Sequence, residues 1–437
     1  MEILSLGEKI KQRRKELNMT LKDLAGEKVT PGQISLVESG KSKPSIDLLE
    51  YMAQKLKVSI DSLLETEEHQ AEKLCEYYAK ITDASLLAEN YEQARESINK
   101  GMAYALQYDL EYYKGLNELY TGKIEFGYGN LETAQSMFIT ANETFFRTGK
   151  MRNVVETYIY LGMTTYELSY YNSALNFYKQ AERILEENKI IDDDILMNIY
   201  FNISLCHSKL GNHSATIDYL LLTMEKLKQK NDKYQYGQSL LMLSISYKSL
   251  NRFEEAFLYA NSAISVFKEL NNQAFLARVE TNMGGILSEI GNIEDSFRHL
   301  ENAYKIKLDT NDNSIIRTIL LMVDNHIKEK DYDKALNILL DLYEKYNDEC
   351  YKEYRPSIYH YLYNLYSMIG DIKSAEFYLL DAVKYLQNMD MPLQLADTYI
   401  MLGEFYGKTG NSGEAINQIS RGINIYKENG IILNKKI

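Results

Sequence analysis

The 437-residue chain has no tryptophan, four prolines and three cysteines. No proline lies between Pro44 and Pro356, so the long middle of the chain lacks a Pro-rich hinge. Cys75, Cys206 and Cys350 are far apart and odd in number, the usage of free thiols in a cytoplasm, not of a disulfide framework. No run of 18 apolar residues occurs, so nothing reads as a membrane span. The opening MEILSLGEKIK has no basic segment ahead of an apolar one and does not read as a secretory signal. A cytoplasmic protein with no membrane partner is expected.

Motifs of catalysis are equally scarce. There is no Walker A sequence, no Gly-rich dinucleotide loop and no serine elbow. His69, His213, His299, His326 and His360 are scattered without ligand spacing, and the neighbours Cys206 and His207 fall on different faces of a helix. Asp192, Asp193 and Asp194 read as a solvated loop. No catalytic residue, metal ligand or cofactor is expected.

What the chain does have is helical pattern. It is 45% hydrophobic and 25% charged, with few strand-like alternations. Its net charge of −13 is unevenly spread: residues 1 to 64 hold 11 Lys and Arg against 9 Asp and Glu, and the remainder 38 against 53. A slightly basic head precedes a large acidic body.

In the head, Leu6, Ile10 and Leu17 mark a first helix whose polar side carries Lys9, Lys11, Arg13, Arg14 and Lys15. Thr20 opens a second helix, with Asp23 at capping-box spacing. Thr30 opens a third, with Gln33 completing a Thr-x-x-Gln box, Pro31 at the first helical position and Gly40 just past the end. Gly32, which costs a helix roughly 1 kcal/mol relative to alanine, makes sense where a helix tip must approach another surface closely. Ser45 and Ser59 can cap two more helices. Five short helices with a tight turn between the second and third are the layout of a helix-turn-helix domain.

The body is periodic. A marker ending in a small residue recurs as ENYEQA (89–94), GNLETA (129–134), SYYNSA (169–174), GNHSAT (211–216), NRFEEA (251–256), GNIEDS (291–296), KDYDKA (330–335), GDIKSA (370–375) and GNSGEA (410–415). Successive starts differ by 40, 40, 42, 40, 40, 39, 40 and 40 residues. Each marker reads as a turn between two helices, with small residues before it (Gly122, Gly162, Ser204, Ser244, Gly284, Gly403) and paired alanines after it, such as Ala134 and Ala141. The fold expected is all-α: a five-helix head on residues 1–64, a link on 65–73 that can continue as helix, and a right-handed solenoid of about nine helix pairs on 74–437.

The head, with Ser35, Glu38, Gly40, Lys41, Pro44 and Ser45 in an S-x-x-E-x-G-K-x-x-P-S run, resembles the Xre/Cro/phage-repressor family. The resemblance implies that the third helix enters the major groove, with Pro31, Gly32, Gln33 and Leu36 facing bases and Thr20, Ser39, Lys41 and Lys43 touching phosphates. The body, with YIYLGMTTYELSYYNSALNFYKQA at 158–181, resembles the tetratricopeptide repeat (TPR), with Tyr taking over much of the packing that a helix-A Trp usually supplies. In such a stack the first helices of the pairs line a groove. Counting back from the markers gives one row of Asn198, Gln238, Arg278 and Arg317, with Asn202, Lys248, Asn282 and Asn364 on others. Asparagine can pair with a peptide backbone and arginine with a terminal carboxylate.

Head and body together resemble the RRNPP family of Gram-positive regulators. That resemblance implies a homodimeric transcription regulator that binds an operator in double-stranded DNA and a short quorum-sensing peptide pheromone. A second reading in the same family is a TPR interaction scaffold that inhibits a response regulator or phosphotransferase.

Overall fold

The structure, a computed structural model, describes residues 3–230, 232–345 and 351–429. Among them all regular structure is helical, and the all-α expectation holds. The chain divides into two compact units, Met1–Asn212 and His213–Ile437.

The head comprises α1 (Leu6–Glu16), α2 (Leu21–Ala25), α3 (Pro31–Glu38), α4 (Ile46–Leu56) and α5 (Ile60–Leu64). Each begins because a Ser or Thr side chain accepts the backbone N–H three residues on: Ser5, Thr20, Thr30, Ser45 and Ser59. The boxes at Ser5–Glu8 and Thr20–Asp23 are closed in both directions. The one at Thr30 is only half closed. Its hydroxyl accepts from the Gln33 N–H at 3.2 Å, and no hydrogen bond returns from the Gln33 side chain, which leaves that side chain exposed. Ile10, Leu24, Ile34, Val37, Leu48, Met52 and Leu56 form the core.

Much of the basic side of α1 is engaged within the head. Arg14 grips buried Glu38 through Nε (2.6 Å) and Nη2 (2.9 Å) and donates to the Met19 carbonyl. Arg13 donates to the Leu56 carbonyl and Lys9 to that of Glu65. Three of the five cations are thus internal staples. Gly7 is needed too, because a Cβ there would stand 2.5 Å from the Val37 carbonyl oxygen where α1 crosses α3.

No loose tether follows the head. Glu65 ends α5, Thr66 caps the next helix, and that helix runs from Glu67. Gln70 exchanges two hydrogen bonds with the Leu4 backbone, and Lys73 pairs with Glu65.

The body is built from helix pairs: α6 and α7 (Glu67–Leu87, Tyr91–Gln107), α8 and α9 (Glu111–Gly127, Leu131–Arg147), α10 and α11 (Met151–Glu167, Tyr171–Glu187), and α12 and α13 (Asp193–Lys209, His213–Lys230). Next come α14 and α15 (Lys233–Ser249, Phe253–Glu269), α16 and α17 (Gln273–Glu289, Ile293–Asp309), and α18 and α19 (Ile315–Lys328, Tyr332–Lys345). The last are α20 and α21 (Arg355–Ile369, Ile372–Gln387) and α22 and α23 (Pro392–Lys408, Ser412–Glu428). The boundary between the compact units falls between α12 and α13.

Every marker falls at the turn inside a pair, and the backbone explains its first residue. Glu89, Gly129, Ser169, Gly211, Asn251, Gly291, Lys330, Gly370 and Gly410 all have positive φ. They are the left-handed residues that stop a helix, where glycine and asparagine are least strained. The marker's last residue is buried in all nine, from Ala94 to Ala415. The small residue before the marker has a constant partner. A Cβ on Gly122, Gly162, Gly284 or Gly403 would meet Phe138, Tyr178, Leu300 or Ile419 at 2.5–2.6 Å, always sixteen residues on. Within each unit the first helices also touch one another, α6 with α8, α8 with α10 and α10 with α12 in the first, α14 with α16 and α16 with α18 in the second. This is tetratricopeptide-like stacking.

Candidate functional site

In the head, Pro31, Gly32, Gln33, Leu36 and Ser39 on or just after α3, together with Lys41 and Lys43 beyond it, are exposed. Leu36 is 47% exposed, a large apolar side chain that the core does not use. Gly32 has no internal reason to be glycine: its φ is not positive, and a Cβ would meet only the Thr30 hydroxyl at 3.9 Å. Thr20 is exposed, and its hydroxyl is shared with Asp23. The tip of α3 therefore offers open backbone, one free amide side chain and one apolar side chain, flanked by two lysines.

In the unit His213–Ile437, three of the expected groove residues meet. Arg278 and Asn282 on α16 and Arg317 on α18 line a cleft of about 310 Å³ with Lys307, Asp312 and Tyr354. Arg278 lies over the Phe275 ring, and Asn282 donates to the Ser244 hydroxyl at 2.8 Å. Neither arginine has a carboxylate within ion-pair distance among the described residues. The Lys307 ammonium is buried, and among the described residues it donates to the Ser314 carbonyl (3.2 Å) and the Thr318 hydroxyl (3.0 Å) alone. Burial brings it down to about 8, with Arg317 and Arg278 acting in the same sense and Asp312 against it. Asp312, the cleft's carboxylate, accepts the Ser314 N–H at 2.8 Å.

Lys248 belongs to the same cationic neighbourhood. Its ammonium occupies space that a side chain at Gly285 would take, 2.5 Å from where a Cβ would stand. Burial lowers its basicity, with Arg317 and Lys328 acting in the same sense and Glu289 and Asp324 against it. Gln238 and Asn364 lie on α14 and α20 but do not line the cleft. In the other unit, Asn198 and Asn202 on α12 pair with each other at 2.6 Å. Counting along first helices missed Lys307, which lies in the last turn of a second helix, where a lysine ordinarily reads as solvated.

The acidic run is a correction. Asp192 is the N-cap of α12, accepting from the N–H groups of Asp194 and Ile195, and Arg152 pairs with it. It starts a helix instead of forming a solvated loop. Cys75 and Cys206 are free and buried, and burial pushes their thiols up to about 11 and about 12, which makes them poor nucleophiles. Cys350 lies outside the described residues. Among the described residues no three His, Cys, Asp or Glu side chains gather to hold a metal, and no helix is long and apolar enough to cross a membrane.

A helix-turn-helix family model, HTH_3, matches residues 10–63, and a tetratricopeptide-repeat model matches residues 396–429. Transcriptional activator NprA of Geobacillus stearothermophilus is 21% identical over 364 residues, which are 80% of this chain and 84% of NprA. Regulatory protein RapK of Bacillus subtilis is 24% identical over 284 residues, 64% of this chain and 75% of RapK. The apo quorum sensor NprR from B. thuringiensis shares the fold at 14% identity, with a TM-score of 0.60 over 82% of this chain and 99% of its own. NprR in complex with its cognate peptide NprX gives a TM-score of 0.51 at 14% identity, over 83% of this chain and 100% of its own. Both relatives are named as regulators. The chain thus joins a helix-turn-helix match in its head to a tetratricopeptide match in its body, and is similar over most of its length to NprA and over about two thirds of it to RapK.

Proposed function

We propose that the chain is a cytoplasmic, homodimeric transcriptional regulator whose repeat body binds a short peptide. Peptide occupancy alters the spacing of two heads on an operator. One observation carries the reading: Arg278, Arg317 and Lys307 converge on one cleft whose lining holds a single carboxylate, Asp312, so cations outnumber acids three to one. Like charges held together in a partly dry cleft are unfavourable unless an anion joins them. A peptide's terminal carboxylate fits, because arginine takes it bidentately, while Asn282 can pair with backbone. NprR, of like fold, was solved with a peptide, which supports the same assignment here.

The link to DNA follows from two features. The head is fastened to the first body helix through Gln70–Leu4 and Lys73–Glu65, so a change in repeat stacking in that unit moves the head. Paired heads bind half-sites only at certain spacings, and a coupling of about 1–3 kcal/mol changes affinity several-fold to a hundredfold. The test is calorimetry with short peptides in free-acid and C-amidated forms, followed by operator footprinting with each. The free acid is expected to bind and shift the footprint, and the amide to do neither. Equal behaviour of the two forms sinks the carboxylate assignment. Capture of a response regulator in the absence of any peptide effect would favour the scaffold reading.

A further inference from the structure

The second unit carries another cleft, of about 860 Å³, between α15 and α17 above the reverse side of α16. Its residues on α16, Glu280 and Leu287, are seven apart and share a face. Arg278 and Asn282, which line the cationic cleft, lie on the opposite one. The two sites are back to back on one helix and differ in character. Here the walls are apolar, from Phe253, Phe257, Leu258 and Leu287. Leu258 is 63% exposed at the rim.

The floor is a carboxylate. Glu280 has a side chain only 4% exposed, paired through one oxygen with His299 Nδ1, and its other oxygen has no hydrogen-bond partner among the described residues. Around the rim, charges of opposite sign match in number: Asp295 pairs with Arg298 at 2.8 Å, and Glu254 and Lys268 contribute one each. The floor carboxylate gives one oxygen to His299 and has the other left for a further donor. A buried carboxylate against apolar walls is unfavourable until a cation or further donors complete it. The volume lies within the range of small-molecule sites.

We propose that this cleft binds a cationic amphipathic ligand, a protonated amine or guanidinium on an aromatic or branched apolar body. The nitrogen donates to Glu280 and the body lies between Phe257 and Leu287. The site selects the charge opposite to that of the cleft on the other face of α16.

The probes are three indoles of similar shape: tryptamine (amine), tryptophol (alcohol) and indole-3-propionate (acid). The chain has no tryptophan, so the indole of the probe can be followed by fluorescence apart from the protein's tyrosines. With the full-length protein, tryptamine is expected to bind saturably and about tenfold or more tighter than tryptophol, the margin of one charge-assisted hydrogen bond. The acid is expected not to bind. Glu280→Gln should bring tryptamine to the level of tryptophol. Leu258→Lys, at an exposed position that leaves folding alone, should weaken tryptamine and spare tryptophol. The proposal is overturned if the alcohol or acid binds as tightly as the amine, if none binds, or if either variant binds tryptamine undiminished. Should Glu280→Gln not fold, the probe series and Leu258→Lys decide.

Discussion

Two clefts on first-helix surfaces, one in each compact unit, hold the same kind of residue in opposite states. In the unit Met1–Asn212, Lys123 on α8 is half-buried in a cleft of about 350 Å³ formed with α6 and α10. Burial alone would lower its basicity, but Glu156 at 2.7 Å and the Tyr160 ring outweigh it, and Lys123 stays above the ordinary lysine value. In the unit His213–Ile437, Lys307 hydrogen-bonds only neutral oxygens among the described residues, and burial, with two arginines for neighbours, outweighs the pull of Asp312 and brings it down to about 8. The partner decides the outcome. A cleft whose cation is answered from within needs no ligand, and one whose cations outnumber its acids is ready for an anion.

Charge reversal should break this comparison most sharply. The double variant Arg278→Glu, Arg317→Glu removes two charge-assisted contacts, each worth about 1.5–3 kcal/mol, so peptide affinity should fall by more than about a hundredfold. Both side chains are exposed, so the melting temperature should not move. Unchanged calorimetric affinity would place the peptide elsewhere.

Next come the lysines themselves. Lys123→Met leaves Glu156 without its partner and should lower unfolding free energy by about 1–3 kcal/mol. Lys307→Met removes a buried charge that Asp312 offsets only in part and should leave stability equal or higher while weakening peptide binding. Urea titration of both variants reads the difference. Equal destabilisation would mean that the two clefts are structural alike.

A smaller effect is expected from pH, and its sign follows from Lys307. The folded value near 8 lies below the ordinary lysine value of about 10.4. The unfavourable buried charge is present below pH 8 and is relieved as pH rises from there toward 10.4, so this group makes the fold more stable across that window. Binding runs the other way. An anion favours the protonated ammonium, so affinity for an N-acetylated free-acid peptide should be highest below pH 8 and fall about tenfold or less above it. Lys307→Met should flatten that profile.

What could be read from the sequence was what repeats. The nine markers gave the helix pairs because a left-handed residue and a small buried residue recur at fixed spacing, local requirements that each unit meets with its own residues. Arg278, Asn282 and Arg317 came from the same register, and the structure brings them together. Features set by distant partners were not legible. Gly7 is glycine because of the Val37 carbonyl, and Arg14 turns inward because Glu38 is buried opposite. Lys307 is buried because the start of the following helix folds over it, through Ser314 and Thr318. The Glu280–His299 pair joins two helices nineteen residues apart and follows no marker.

The smallest predicted effect separates folding from recognition at the tip of α3. Every other α-helical glycine named above is held by a neighbour that a Cβ would strike, but Gly32 is not: the nearest atom stands 3.9 Å away in ordinary contact. Gly32→Ala should therefore raise stability by about 0.5 kcal/mol, because alanine loses less backbone freedom in a helix. If the residue is glycine so that the backbone can approach a base edge, the same variant should weaken operator binding several-fold. Gln33→Ala, which removes the side chain left free by the half-closed cap, should weaken it alongside and leave stability unchanged. Thermal melts and gel-shift titrations on the same preparations test both. A Gly32→Ala protein that is more stable and binds the operator as tightly as before would remove the α3 tip from the DNA contact.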